Sequence, residues 1–202
     1  MIDHENIWDQ RLQIHTIGRD ASASDEYRFP YEPTPYCVLE RLANSGLIHA
    51  TDVVLDYGCG KGRVDFFLAY QQNATSIGIE YDARIYQAAQ ENQHTAIAGV
   101  KVQFVLSRAE IYKVPSDVNR CYFFNPFSAE ILHKAMARIL ESYYENPREI
   151  FLFFYYPSDE YISYLMTVNE LDFYDEIECD DLFETNDPRE RIMIFSLPDY
   201  EA

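Results

Sequence analysis

Basic residues are scarce in this chain: 16 lysines and arginines stand against 34 aspartates and glutamates in 202 residues, a formal net charge of −18. A field of that sign repels phosphate backbones, so extended DNA or RNA is a disfavoured partner unless a local basic patch overrides it. Cysteine is sparse as well. Cys37, Cys59, Cys121 and Cys179 lie far apart, with no CxxC pair and no histidine at zinc-ligand spacing, so neither a disulfide framework nor a metal site is expected. Long hydrophobic runs are missing too. The longest strongly apolar stretch, residues 150–156, falls far short of the roughly 20 residues a membrane helix needs. Met1-Ile2-Asp3-His4-Glu5 has neither the basic start nor the apolar stretch of a secretory signal. Reduced thiols in a cytoplasmic protein are therefore expected. No internal repeat or low-complexity tract is visible.

What is present is ample material for a core, with 48% hydrophobic residues, at a length suited to one α/β domain. Residues 1–33 read as a polar, irregular N-terminal extension or lid, and residues 34–202 as a single domain. Thr34-Pro35 looks like a helix N-cap with proline in the first turn, followed by Leu39, Leu42 and Ala43 at helical spacing and Gly46 as a stop. From Val53 the pattern alternates. Short apolar runs at Val53-Val54-Leu55, residues 76–80, 102–106, 121–124 and 150–156 read as strands. Helical stripes separate most of them, the clearest being Leu132, Ala135, Met136, Ile139, Leu140 and Tyr143. Asp82, Ser128 and Ser158 stand where helix caps belong. Two last strand-like segments, 173–179 and 191–197, have only an acidic loop between them. The expected fold is α/β: a doubly wound, mostly parallel seven-stranded sheet with a terminal antiparallel hairpin and helices on both faces.

The informative segment is Asp56-Tyr57-Gly58-Cys59-Gly60-Lys61-Gly62, at the end of the first strand. Closely spaced glycines between a strand and a helix let a ligand approach the backbone without Cβ clashes. A P-loop needs GxxxxGK followed by Ser or Thr, and none follows Lys61. A dinucleotide site wants GxGxxG, whereas this loop is Gly58-x-Gly60-x-Gly62. Asp56 is poorly placed beside a pyrophosphate and well placed for a cationic, amine-bearing ligand. The bland alternative is that Asp56 caps a turn and the glycines merely pack strand on helix. Glu80 argues for more: it ends the second strand, where the nucleotide-binding half-fold puts its ribose-hydroxyl acceptor.

The segment from Asp56 to Gly62 resembles the first motif, D-x-G-x-G-x-G, of class I S-adenosylmethionine (SAM)-dependent methyltransferases. With Glu80 and the terminal hairpin, the resemblance extends over roughly residues 34–197. It implies SAM as cofactor, with Asp56, Gly58, Cys59 and Gly60 beside its methionine moiety, Glu80 on the ribose hydroxyls and Tyr81 next to the adenine. Tyr36, or Tyr31, would close over the methionine end. After strand three the family usually carries an acid for the adenine amine. Here the stretch is Leu106-Ser107-Arg108-Ala109-Glu110, with Arg108 where Asp is common, so the contact falls to Glu110 or to backbone near Ala109. Phe124-Asn125-Pro126-Phe127, at the carboxyl end of strand four, resembles the Asn/Asp-Pro-Pro-Tyr/Phe motif of amino-group methyltransferases with its second proline missing. By that resemblance Asn125, Pro126 and Phe127 are candidate catalytic residues, and Asn125 also borders the cofactor. As a plain structural reading, Asn125-Pro126 turns the chain and Ser128 caps the next helix. The resulting expectation is a methyltransferase acting on nitrogen or oxygen of a small-molecule or protein acceptor, with nucleic acid and membrane unexpected as partners and no metal. The alternatives are a non-catalytic SAM- or nucleotide-binding regulatory protein and an adenine-N6 type nucleic-acid methyltransferase.

Overall fold

A computed structural model describes residues 2–22, 25–185 and 187–199 of the chain. Its elements run α1 (Ile2–Leu12), α2 (Tyr36–Ala43), β1 (Val53–Tyr57), α3 (Arg63–Gln71), β2 (Thr75–Glu80), α4 (Ala83–Thr95), β3 (Val102–Leu106), β4 (Arg120–Phe123), α5 (Ala129–Glu145), β5 (Ile150–Tyr155), α6 (Asp159–Leu165), β6 (Asp172–Glu178) and β7 (Arg191–Leu197). The strands form one seven-stranded sheet in the order β3-β2-β1-β4-β5-β7-β6. The first five pair in parallel. β7 inserts antiparallel between β5 and β6, with Ile150 opposite Leu197. This is the doubly wound sheet with a terminal hairpin that the alternation of runs and stripes implies.

Period-two side-chain alternation divides the core into two layers. On one face Val54, Tyr122, Phe151, Phe153, Tyr155, Ile192 and Ile194 pack with residues of α1, α2 and α3. On the other, Leu55, Cys121, Phe123, Leu152, Phe154, Met193 and Phe195 meet α5 and α6. β5 is buried at all six positions because it lies mid-sheet under helices on both sides. β6 forms the outer edge and is largely exposed, which is why its sequence tolerates Asp172, Asp175, Glu176 and Glu178.

Three local expectations differ from what is found. Residues 2–12 form a helix rather than an irregular segment, and Trp8, Leu12 and Ile14 are buried in the core. Pro35, not Thr34, stands at the N-cap of α2; its carbonyl accepts from the Val38 and Leu39 amides, while the Thr34 hydroxyl lies 3.1 Å from that of Tyr122. Ser128 precedes α5 but its hydroxyl caps nothing and is buried without a partner; its carbonyl alone begins the helix. Asp82 and Ser158 do cap, accepting from the amides of Arg84 and Tyr161. Among the described residues no helix is long and apolar enough to cross a membrane, and no group of three or more His, Cys, Asp or Glu could hold a metal.

Candidate cofactor and acceptor site

A cleft opens above the carboxyl ends of β1, β2 and β4, where the strand order reverses and ligands of such sheets bind. Its walls include Asp56, Gly58, Cys59, Glu80, Tyr81, Ala109, Glu110, Phe124, Pro126 and Phe127, and residues 28–34 roof it. The glycine loop is tightly stitched. The Gly58 and Cys59 amides donate to the Ile79 carbonyl, at 3.0 and 3.1 Å. Gly58 and Gly60 are sterically required. A Cβ on Gly58 would sit 2.5 Å from the Cβ of Pro126, and one on Gly60 would collide with the Cδ2–Cε2 edge of the Tyr31 ring; both have positive φ, +72° and +57°.

Glu80 is held from the backbone side. Oε2 accepts the Gly60 amide at 3.0 Å, and Oε1 accepts those of Tyr81 and Asp82, both at 2.9 Å. Burial raises its pKa while these three amides oppose the shift. One carboxylate thus ties the loop after β1 to the end of β2. Glu110 accepts from Arg28 Nη2 at 3.2 Å, and its Oε2 is buried without a partner. Arg28 also lies over the Tyr81 ring, 4.9 Å from its centroid. Arg108 points to solvent and approaches Glu110 only to 3.7 Å.

Asp56 faces a second buried acid that sequence reasoning passed over. Asp65, in the first turn of α3, is fully buried and accepts from the Ser76 hydroxyl at 2.6 Å. Asp56 Oδ2 and Asp65 Oδ2 have no N–H or O–H donor. The two carboxyls are within reach of each other, so their contact is a hydrogen bond once one of them carries a proton. Burial, then the charge and hydrogen bond of Asp65, then Glu80, push Asp56 well above the usual carboxylate range. Burial also pushes Asp65 up, to about 7.

The sequence candidates divide. Asp56, Gly58, Cys59, Glu80, Tyr81, Ala109 and Glu110 come together around one cleft, with the Gly60 amide on Glu80. Tyr36 does not line it. Its hydroxyl donates to Asp9 at 2.7 Å, and its ring stacks on Trp8 and under the Arg63 guanidinium. Tyr31 is the tyrosine over the loop, its hydroxyl donating to the Thr16 carbonyl at 2.5 Å. Pro126 and Phe127 line the cleft, but Phe127 also packs edge-on against Tyr57 and Phe123. The side chain of Asn125 is engaged behind the turn. Nδ2 donates to the Tyr156 carbonyl at 2.5 Å, and Oδ1 accepts from the Ser158 amide at 3.3 Å. Beyond it, Tyr155 and Tyr156 donate to Glu190 and Asp187 at 2.5 and 2.6 Å.

Sequence reasoning also missed Arg63, directly after the loop. It is buried, donates from Nε to Thr16 Oγ1 at 2.7 Å and from Nη1 to the Thr34 carbonyl at 3.1 Å and to Glu5, and lies 3.8 Å from Asp9. An arginine in the first turn of an apolar helix was the available signal, because a buried guanidinium demands partners.

A mostly parallel sheet closed by an antiparallel hairpin, with an acid-flanked glycine loop after β1 and an acid ending β2, is the arrangement of the Rossmann-like methyltransferase fold. Sequence comparison points the same way: residues 54–145 match the model of a methyltransferase domain family. A protein-lysine N-methyltransferase of Saccharolobus islandicus (strain REY15A) is 34% identical over 86 residues, 42% of this chain and 48% of that relative. The chain therefore spans about half the length of the curated relative it matches. Among solved structures, an RNA methyltransferase from Salinibacter ruber in complex with S-adenosyl-L-homocysteine superposes with a TM-score of 0.62 at 18% identity, over 83% of this chain and 95% of that one. TrmK of M. capricolum, in complex with S-adenosyl-homocysteine, gives 0.52 at 11% identity, over 81% and 68%. At such identities the likeness shows the fold.

Proposed function

We propose that this chain binds SAM in the cleft and transfers its methyl group to an amine nitrogen, with the lysine side chain of a protein as the acceptor class. The observation that carries the reading is a single cleft holding both the glycine loop with Glu80 and, at its roof, Glu32. Glu32 is close enough to Glu190 for its charge to act there, and Asp187 adds a third carboxylate beside Glu190. Arg189 pairs with Asp187 at 2.9 Å and Arg19 with Glu32 at 3.6 Å, and the excess carboxylate left on this rim favours a cationic acceptor over a phosphate backbone. The lysine specificity named for the Saccharolobus relative points the same way.

The cleft suits this cofactor on chemical grounds. Asp56 Oδ2 and Glu110 Oε2 are buried acceptor oxygens without donors, and the cofactor offers an ammonium, a sulfonium and an adenine amine. Asp56, Gly58, Cys59 and Gly60 would hold the methionine end, Glu80 the ribose hydroxyls, and Tyr81, Ala109 and Glu110 the base. When bound, SAM supplies an electrophilic methyl group. Phe124, Pro126 and Phe127 then exclude water from the reacting end, and proximity with desolvation accounts for much of the rate in such a displacement. Asn125 positions the turn rather than the acceptor, since both ends of its amide are engaged. That arrangement disfavours an adenine-N6 reaction.

The test is methyl transfer from labelled SAM to lysine-containing peptides and, in parallel, to transfer RNA, with the site read by mass spectrometry. Methyl-lysine is expected. Label in the RNA and none in peptide would overturn the acceptor class. Failure of the folded protein to bind S-adenosylhomocysteine would overturn the cofactor.

A further inference from the structure

The buried carboxyl pair Asp56–Asp65 has no structural counter-ion. Packed around it are Ser76 and Glu80 from β2, Cys59 from the loop and Tyr122 from β4. None of these is a cation, and Arg63, the buried arginine of α3, is committed instead to Thr16, Glu5 and the Thr34 carbonyl. Cys59 and Tyr122 are themselves pushed up by burial and stay neutral. The pair lies against the glycine loop, and Asp56 reaches the cleft wall.

Two buried carboxyls in contact cannot both ionise without a positive charge nearby, so one proton is shared and a single negative charge remains. A cleft wall bearing such a charge, with donor-less oxygens, fits a cationic ligand. We propose that Asp65 serves as a proton-holding partner of Asp56, so that SAM binding expels the shared proton to solvent and the second carboxylate ionises against the cofactor's positive charge. Asp65 is thus a positioning residue that acts through Asp56 and makes cofactor affinity pH-dependent. This rests on the SAM-binding reading above. The direction follows from the free protein: two buried carboxyls meet with no cation among the groups packed on them, and burial raises both from their ordinary values, so the apo form holds a proton that the complex gives up. Binding therefore strengthens as pH rises and the proton becomes cheaper to release.

The experiment is isothermal calorimetry of SAM binding to the full chain at pH 7 in buffers of different ionisation enthalpy, repeated from pH 6 to 8. Wild type is compared with Asp65→Asn, which keeps the contact with Ser76 and lets the amide donate to Asp56. The cofactor's own amino group titrates in this range, but equally for both proteins, so their difference isolates the pair. Wild type is expected to release up to about one proton more per SAM than the variant, and to gain up to about tenfold more affinity per pH unit. Equal proton release and parallel pH profiles overturn the proposal while leaving SAM binding intact. No saturable binding by wild type overturns both. Should Asp65→Asn not fold, the wild-type count alone decides: SAM bound as its ammonium takes up a fraction of a proton set by its free amine, and a net count equal to that uptake, with no further release, overturns the proposal.

Discussion

Replacing Arg63 with methionine should destabilise the whole domain. The guanidinium is buried and serves Thr16, Glu5, the Thr34 carbonyl and the nearby Asp9. Methionine preserves much of the volume and removes every donor. Glu5 and Asp9 are then left partly or fully buried without their cation, although Thr16 and Tyr36 still donate to Asp9. Breaking a buried pair by removing one partner costs about 3–5 kcal/mol, because the surviving charge remains desolvated. For a domain of this size that corresponds to a fall in Tm of roughly 6–20 °C. Because Trp8, Leu12 and Ile14 share a core with α2 and α3, the loss should appear in global stability and not only as fraying of α1. Urea unfolding followed by circular dichroism measures it, with limited proteolysis locating any early cut. Lysine at the position keeps the charge but lacks the planar fork, and should recover less than half of the loss. A cost below about 1 kcal/mol, the range of an exposed ion pair, would refute the claim that Arg63 holds the N-terminal segment to the glycine loop.

Other consequences are as direct. Asp65 has its folded pKa raised from 3.8 to about 7, so its contribution favours folding at low pH and is lost as pH climbs from about 4 to about 7; Asp65→Asn should gain on wild type by up to about 4 kcal/mol across that window in urea titrations. A gap that does not change with pH would contradict it. Gly60→Ala combines a left-handed backbone with a collision against Tyr31, and should cost at least about 1–2 kcal/mol and abolish SAM binding in calorimetry; unchanged affinity would show that the loop does not bear the cofactor. Tyr57→Phe removes a buried hydroxyl without a partner, and should leave stability unchanged or raise it by about 1 kcal/mol in the same assay.

The strands were legible because each is a short apolar run ended by a turn signal. The loop was legible because no other stretch combines an acid and spaced glycines after such a run. α1 was not, because its two buried anchors, Trp8 and Leu12, sit in a mostly polar stretch and acquire meaning only against residues of α2 and α3. The distinction between Tyr31 and Tyr36 turns on five positions in a tyrosine-rich chain, and only the packing on Gly60 decides it. Asp65 stayed hidden for a related reason: an acid near a helix start reads as solvated, and its burial depends on Ser76 and Asp56 arriving from neighbouring strands.

The docking of α1 has a practical side. Trp8 is the chain's single tryptophan; it is 4% exposed, donates its indole N–H to Glu40 at 2.8 Å and stacks on Tyr36 beside Arg63. Indole emission therefore reports on the seat of the N-terminal helix against α2 and α3. Its wavelength shift on unseating, followed in real time while ligand is mixed in, would give the opening and closing rate of that segment without any label.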